Sequence, residues 1–75
     1  MNEFTLQETV ALIYRQVVLK DDLIAYKQKT DITLIGHVCG VLTLNDQIEV
    51  VVKFFDDLKQ FNKEEFFEKV QLIDA

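Results

Sequence analysis

The sequence contains no proline, only one cysteine and no apolar run long enough to span a membrane. A lone cysteine cannot form an internal disulfide, which agrees with a reducing cytoplasm. The amino-terminal segment lacks the basic stretch and apolar core of an export signal. Hydrophobic residues make up 49% of the 75 residues, a share that argues against disorder. We therefore expect a cytoplasmic protein with no membrane segment, folded as one small domain over residues 1–75.

Positive charge is also scarce, because 8 lysine and arginine residues stand against 13 acidic residues, for a net charge of −5. A protein that binds nucleic acid through its overall electrostatic field needs a positive net charge. The net charge of this chain therefore argues against nucleic acid as a partner. A local basic patch around Lys27 and Lys29 stays open. The acidity itself is typical of a solvated protein surface.

Residues 33–55 alternate between apolar and other side chains with a period of two, which predicts two β-strands. The predicted inward side chains are Leu34, Gly36, Val38, Gly40, Leu42 and Leu44, followed by Ile48, Val50, Val52 and Phe54. Residues 45–47 provide the turn. A two-residue loop would place Leu42 opposite Glu49 and mix the faces, whereas a three-residue loop places Leu42 opposite Val50. We therefore predict a hairpin with a three-residue turn.

The residues before this hairpin predict a helix and a further strand. Thr5 and Glu8 have the spacing of a capping box, and the predicted helix runs from there to about Val18. Its apolar stripe consists of Leu6, Val10, Ile13 and Val17. Residues 23–28 read as a strand, with Ile24 opposite Gly36 and Tyr26 opposite Leu34. The turn would be residues 29–31, and the second strand would begin at Ile32. A hairpin of residues 17–20 with 23–28 is an alternative that stays open.

After the hairpin, Asn62 and Glu65 form a second capping-box pair, and Phe61 and Phe66 have the spacing of a hydrophobic staple. Residues 70–73 can supply a closing strand. The predicted fold class is α+β, with an N-terminal helix, a bent antiparallel sheet of three to five strands and a short C-terminal helix. The sheet is predicted to be Sm-like or SH3-like. Gly36 and Gly40 indicate either a sharp bend in the strand or a helix packed close to bare backbone.

The outward face of the hairpin is also largely apolar, although a sheet face exposed to water should carry polar residues. The predicted interface residues are Ile35, Cys39, Val41, Val51 and Phe55, interrupted by His37, Glu49 and Lys53. Either helices cover both faces or one face meets another chain, and association would supply the burial that so short a chain lacks. We therefore predict a protein partner, a homodimer or both.

No constellation of residues predicts catalysis, a metal site or a bound cofactor. His37 and Cys39 lie two apart on a strand, which leaves them about 7 Å from each other and without an orienting third group. Of the two acidic clusters, Asp56 and Asp57 lie in a turn, and Glu64, Glu65 and Glu68 lie at helix-starting positions, where acids are common. The sequence therefore predicts a protein that is not an enzyme.

Four segments carry a resemblance to a known family: residues 23–26, the glycine-centred residues 36–41, residues 48–50 and residues 67–74. This pattern resembles the YolD-like proteins, small proteins of Gram-positive bacteria and their phages. The resemblance spans about residues 6–74, without the family's Trp- and Pro-rich N-terminal extension and with an added helical segment at 62–69. It implies an Sm-like sheet behind an N-terminal helix and a link to the DNA-damage response and error-prone polymerases.

Two functions from different classes follow. The first is a non-enzymatic acidic protein-interaction module, a regulatory or inhibitory adaptor of bacterial or phage origin. The alternative is an Sm-like nucleic-acid-linked accessory protein of the DNA-damage response, as the YolD-like resemblance implies. Acidic mimicry of DNA is a third idea, for which a net charge of −5 is mild.

Overall fold

The structure is a computed structural model that describes residues 3–28 and 32–73. Its helices are α1 (Leu6–Leu12), α2 (Leu23–Gln28) and α3 (Lys63–Lys69), and its strands are β1 (Gln16–Leu19), β2 (Gly36–Leu44), β3 (Gln47–Phe54), β4 (Asp57–Phe61) and β5 (Val70–Leu72). The strands form one antiparallel sheet in the order β4-β3-β2-β1-β5. The predicted α+β class, with a helix near each end and an antiparallel sheet, is confirmed. The Sm-like or SH3-like form of the sheet stays a prediction.

The capping box that begins α1 is confirmed. The amide of Glu8 donates to the Thr5 hydroxyl at 3.1 Å, and the amide of Thr5 donates to the Glu8 carboxylate at 2.8 Å. The predicted end near Val18 is wrong, because the helix stops at Leu12. Tyr14 then adopts a φ of 67°, which turns the chain back toward the sheet.

Val17 and Val18 belong to β1 and are both fully buried. Their β-branched side chains fit a pleated strand better than a helix end. The alternative prediction of a strand at 17–20 thus nearly matches β1, but the pairing strand that it predicts is wrong. The strand pairs with β2 on one side and with β5 on the other, not with residues 23–28.

Residues 23–28 form α2, so the predicted strand there is wrong. Leucine, alanine, lysine and glutamine are good helix formers, and the 3₁₀ turn Lys20–Asp22 leads into the helix with two acids that favour a helix start. Ile24 is 70% exposed rather than facing inward. The predicted pairing of Tyr26 with Leu34 does not form, because Leu34 ends a 3₁₀ turn. The predicted turn at 29–31 lies outside the described residues.

The long second strand begins at Gly36, not at Ile32, because residues 32–34 form a 3₁₀ turn. Gly36 pairs with Val17 and Phe54, not with Ile24. An added Cβ at Gly36 would lie 2.5 Å from Cδ1 of Phe54. The close approach predicted for this glycine is therefore made by an aromatic ring, not by a helix.

The central hairpin has a two-residue loop, so the predicted three-residue turn is wrong. Asn45 and Asp46 have φ values of 50° and 64°, the positive values of a mirror-image turn that suits the twist of a hairpin. Leu44 pairs with Gln47, and Leu42 pairs with Glu49. A β-bulge further along β2 shifts the alternation of its side chains by one residue. Val41, rather than Leu42, therefore shares the inward face with Val50.

The core lies on the inward face of β2 and β3, where Val38, Val50 and Val52 are fully buried. Phe66 of α3 is also fully buried in this cluster. The phase predicted for β3 is therefore correct.

The strand β4 is absent from the sequence-based prediction because its pattern is weak. Of its five residues, only Phe61 is buried. The predicted C-terminal elements are confirmed: Asn62 caps α3, accepting from the amide of Glu65 at 2.8 Å, and β5 follows directly. The rings of Phe61 and Phe66 meet edge to face at a centroid distance of 6.3 Å.

Candidate interaction surface

A β-bulge at Cys39 interrupts the alternation of side chains along β2. Val38 pairs with Val52, and the next pair in the register is Gly40 with Val51, so Cys39 is the extra residue. Its side chain is exposed. From Gly40 onward, the side chains of β2 therefore lie on the face opposite to the one that the sequence predicts.

The bulge separates residues that were predicted to share one surface. Val41 pairs with Val50, and paired residues point to the same side of a sheet, so Val41 belongs to the inward face. The prediction that Val41 faces outward with Val51 is wrong. Gly40, predicted to face inward, lies opposite Val51 on the outward face.

The remaining predicted interface residues lie at the ends of the strands. Ile35 is half-buried and precedes β2. Phe55 follows β3 in the turn to β4 and is 68% exposed. The structure therefore does not bring the five predicted residues into one apolar face.

Charged and polar side chains interleave with apolar ones across the outward face. His37 pairs with Lys53, which in turn pairs with Leu58 on β4. Leu42 lies beside Glu49. This mixture is typical of a sheet face in contact with water, so the outward face does not need a partner over its whole area.

The turn between β3 and β4 has the clearest features of an interaction surface. Phe55 combines a φ of 35° with high exposure, and Leu58, on the outward face next to the turn, is 62% exposed. Asp57 and Lys59 pair with the inward-facing Phe54 and Val52, so their ion pair, at 3.4 Å, lies on the other side of β4 from Leu58. We call residues 55–58 the β3–β4 turn surface.

A second exposed apolar group lies on α1, where the sequence predicted core. Leu6 and Val10 are 64% and 63% exposed, whereas Thr9 and Leu12 are buried. The hydroxyl of Thr9 donates to the carbonyl of Leu6 at 2.7 Å, and this hydrogen bond satisfies the polar group inside the core. The apolar stripe correctly predicted a helix. It did not show which side of the helix packs against the core, because apolar residues lie on both the exposed and the buried side.

His37 and Cys39, the two candidate chemical residues, lie outside two clefts of the described part of the chain. His37 is half-buried, and it lines neither the cleft of about 420 Å³ between α2 and β5 nor the cleft of about 320 Å³ beside β4. Residues 3–28 and 32–73 contain no group of three or more His, Cys, Asp or Glu side chains arranged to hold a metal ion. Lys27 lines the first cleft, while Lys29, its predicted companion in a basic patch, lies outside the described residues.

One acidic residue joins two helices. The ammonium of Lys63 donates to the Glu8 carboxylate at 2.9 Å. This hydrogen bond, together with the one from the Thr5 amide, lowers the pKa of Glu8 below its usual 4.5. The contact connects the first turn of α1 to the start of α3.

No helix in the described part of the chain has the length and apolar character needed to cross a bilayer. Comparison of the chain with protein-family models, with curated proteins and with solved structures gives no significant match. The resemblance to YolD-like proteins therefore stays a prediction.

Proposed function

We propose that the protein is a non-enzymatic protein-interaction module, that it acts in the cytoplasm as a regulatory or inhibitory adaptor, and that its β3–β4 turn surface binds a protein partner. The observation that carries the proposal is Phe55, a bulky aromatic residue that is 68% exposed and has a φ of 35°.

The stability of the fold does not account for phenylalanine at this position. A bulky residue with positive φ is strained, at a cost of about 1–3 kcal/mol. Burial could offset that cost, but most of the Phe55 side chain lies in water. The hairpin turn between β2 and β3 has Asn45 and Asp46 at its positive φ positions, and both residue types tolerate this conformation far better than phenylalanine does. A partner that buries the ring supplies the free energy of burial that offsets this backbone strain.

The surroundings of Phe55 suit such a partner. Aromatic residues at the centre of an interface commonly carry most of the binding energy, within a polar rim. Leu58 adds a second exposed apolar side chain, and the exposed Lys53, its pairing partner on β3, lies on the same face. The turn therefore presents two exposed apolar side chains with a charged residue next to them.

The substitution Phe55→Asn tests the proposal, because it should affect stability and binding in opposite directions. Asparagine tolerates positive φ, so we expect the free energy of unfolding to rise by up to about 1 kcal/mol. We expect affinity capture from cells of the source organism to lose the partner that the unaltered protein retains. Denaturant titration and mass spectrometry of the captured proteins measure the two effects.

Ile24→Gln is the matched control, since Ile24 is 70% exposed but lies on α2. This variant should keep the partner. Capture of the same proteins by all three forms, or of no protein by any form, would contradict the proposal.

A second candidate function is the nucleic-acid-linked accessory role that the YolD-like resemblance implies. An N-terminal helix followed by an antiparallel sheet agrees with the fold expected from that resemblance. Mobility of a labelled single-stranded oligonucleotide tests it: a shift at low salt that disappears at high salt would favour this role. The net charge of −5 leads us to expect no shift.

A further inference from the structure

The outer part of β2 has an open edge. On the side away from β3, the backbone of β1 and the residues before it accompanies β2 only as far as Val38, whose amide donates to the carbonyl of Arg15 at 3.0 Å and whose carbonyl accepts from Tyr14 at 2.7 Å. Within residues 3–28 and 32–73, no strand pairs with residues 40–44 on that side. The open edge is therefore five residues long.

The hairpin register identifies the backbone groups that face the open edge. Leu44 and Gln47 flank a two-residue loop, so they form a hydrogen-bonded pair. Backbone groups alternate in direction along a strand, which points those of Leu44 and Leu42 toward β3. The amides and carbonyls of Val41 and Thr43 therefore point outward from the open edge.

The open edge also lacks the features that protect the other edges of the sheet. β4 carries Asp57 and Lys59, which form an ion pair, and β5 is only three residues long. Residues 40–44 are Gly-Val-Leu-Thr-Leu, with no charge and no proline. An uncharged open edge of this kind is a template for another strand.

We propose that two copies of the chain pair through this edge of β2, antiparallel about a two-fold axis at Leu42, so that one sheet runs through both copies. In this register, Val41 lies opposite Thr43 of the second copy and Thr43 lies opposite its Val41. All the outward amides and carbonyls of both residues are then hydrogen-bonded. A strand that pairs with itself in this way gives a closed, isologous interface.

The side chains and charges fit the same register. Leu44 comes to lie opposite Gly40 of the second copy, where an added Cβ would have no atom within 4 Å, and Leu44 is 46% exposed in the single chain. The paired segments bring no like charges together, although each copy has a net charge of −5. This interface is distinct from the β3–β4 turn surface, so it goes beyond the proposed function.

Sedimentation velocity combined with amide hydrogen exchange over a range of protein concentrations tests the proposal. We expect the mass to rise from one 8.8 kDa chain toward two as the concentration increases. Over the same range the amides of Val41 and Thr43 should gain protection, whereas that of Leu42 should not change. A mass that stays at one chain up to about 1 mM, or a dimer without this alternating protection, would overturn the proposal.

Two sets of variants separate edge pairing from other modes of association. Thr43→Pro removes an outward amide and should weaken the dimer at least tenfold, while Thr43→Val keeps the amide and should leave it intact. Leu42→Lys and Leu42→Glu should each be monomeric, because each places like charges at the axis, and a mixture of the two should form a heterodimer. Dimers of each Leu42 variant alone, or a mixture that stays monomeric, would refute the register.

Discussion

Gly36 is the residue whose substitution the structure constrains most directly. The ring of Phe54 and the carbonyl of Lys53 would lie 2.5 Å and 2.9 Å from an added Cβ, closer than real contacts allow. The carbonyl belongs to the backbone of the neighbouring strand and cannot move aside alone. Close packing at this point therefore requires a residue without a side chain.

The two glycines of the chain provide a matched pair of substitutions. We expect Gly36→Ala to lower the free energy of unfolding by about 1–3 kcal/mol, as overpacking does. Gly40→Ala should change it by less than about 0.5 kcal/mol, because the added Cβ meets nothing within 4 Å. Urea titration of both variants at low protein concentration makes the comparison. Equal losses in the two variants would contradict the packing described for Gly36.

At the scale of elements, two capping boxes begin α1 and α3, and one contact joins them. Glu8 accepts from the amide of Thr5 within its own helix and from Lys63 at the start of α3. The side chain of Glu8 is 41% exposed, so the ion pair is partly screened by water. The contact fixes the position of α1 more than it adds stability.

The lowered pKa of Glu8 predicts how this contact responds to pH. A carboxylate with a depressed pKa in the folded state stabilises the fold above its unfolded pKa, about 4.5, and this contribution is lost as the pH falls through the folded value. We expect the unaltered protein to be more stable than Glu8→Gln at pH 7, and the difference to shrink below about pH 4.5. Glutamine still completes the capping box, so the comparison isolates the charge.

The variant Lys63→Gln provides the control for this prediction. Removing the ammonium should raise the pKa of Glu8 toward its usual value, which a carboxyl-carbon NMR titration measures. A pKa of Glu8 that is the same with and without Lys63 would contradict the assigned cause.

At the scale of the whole molecule, Phe66 joins the separate elements into one core. It is fully buried, and its ring meets those of Phe4 and Phe61 at centroid distances of 5.9 Å and 6.3 Å. These contacts link the segment before α1, the end of β4 and the middle of α3. A domain of this length is stable by about 4–11 kcal/mol, so the loss of this ring removes a large fraction of the total.

We expect Phe66→Ala to lower the free energy of unfolding by about 3–5 kcal/mol. Its neighbour Phe67 is 51% exposed, although its ring also contacts Phe66 at 5.3 Å. Phe67→Ala should therefore lower the free energy of unfolding by only about 1 kcal/mol. Thermal unfolding followed by circular dichroism compares the two. A larger loss at Phe67 than at Phe66 would be inconsistent with the core described.

The elements that could be predicted from the sequence are those that depend on a few neighbouring residues. The pairs Thr5–Glu8 and Asn62–Glu65 predicted both helix starts, because a capping box closes within four residues. The period-two pattern of β3 identified its buried side, since one face of the strand packs against the core. Phe55 falls on the outward phase of the same alternation, which agrees with its exposure.

The candidate surface depended on features that no local pattern contains. The bulge at Cys39 reverses the face of every later residue in β2, and it is visible only in the pairing of β2 with β3. The short segment 23–28 carries signals for both strand and helix, and its surroundings favour the helix. Tertiary structure alone therefore decided which apolar residues meet water, because burial depends on contacts between residues far apart in the chain, whereas caps and alternation depend on neighbours.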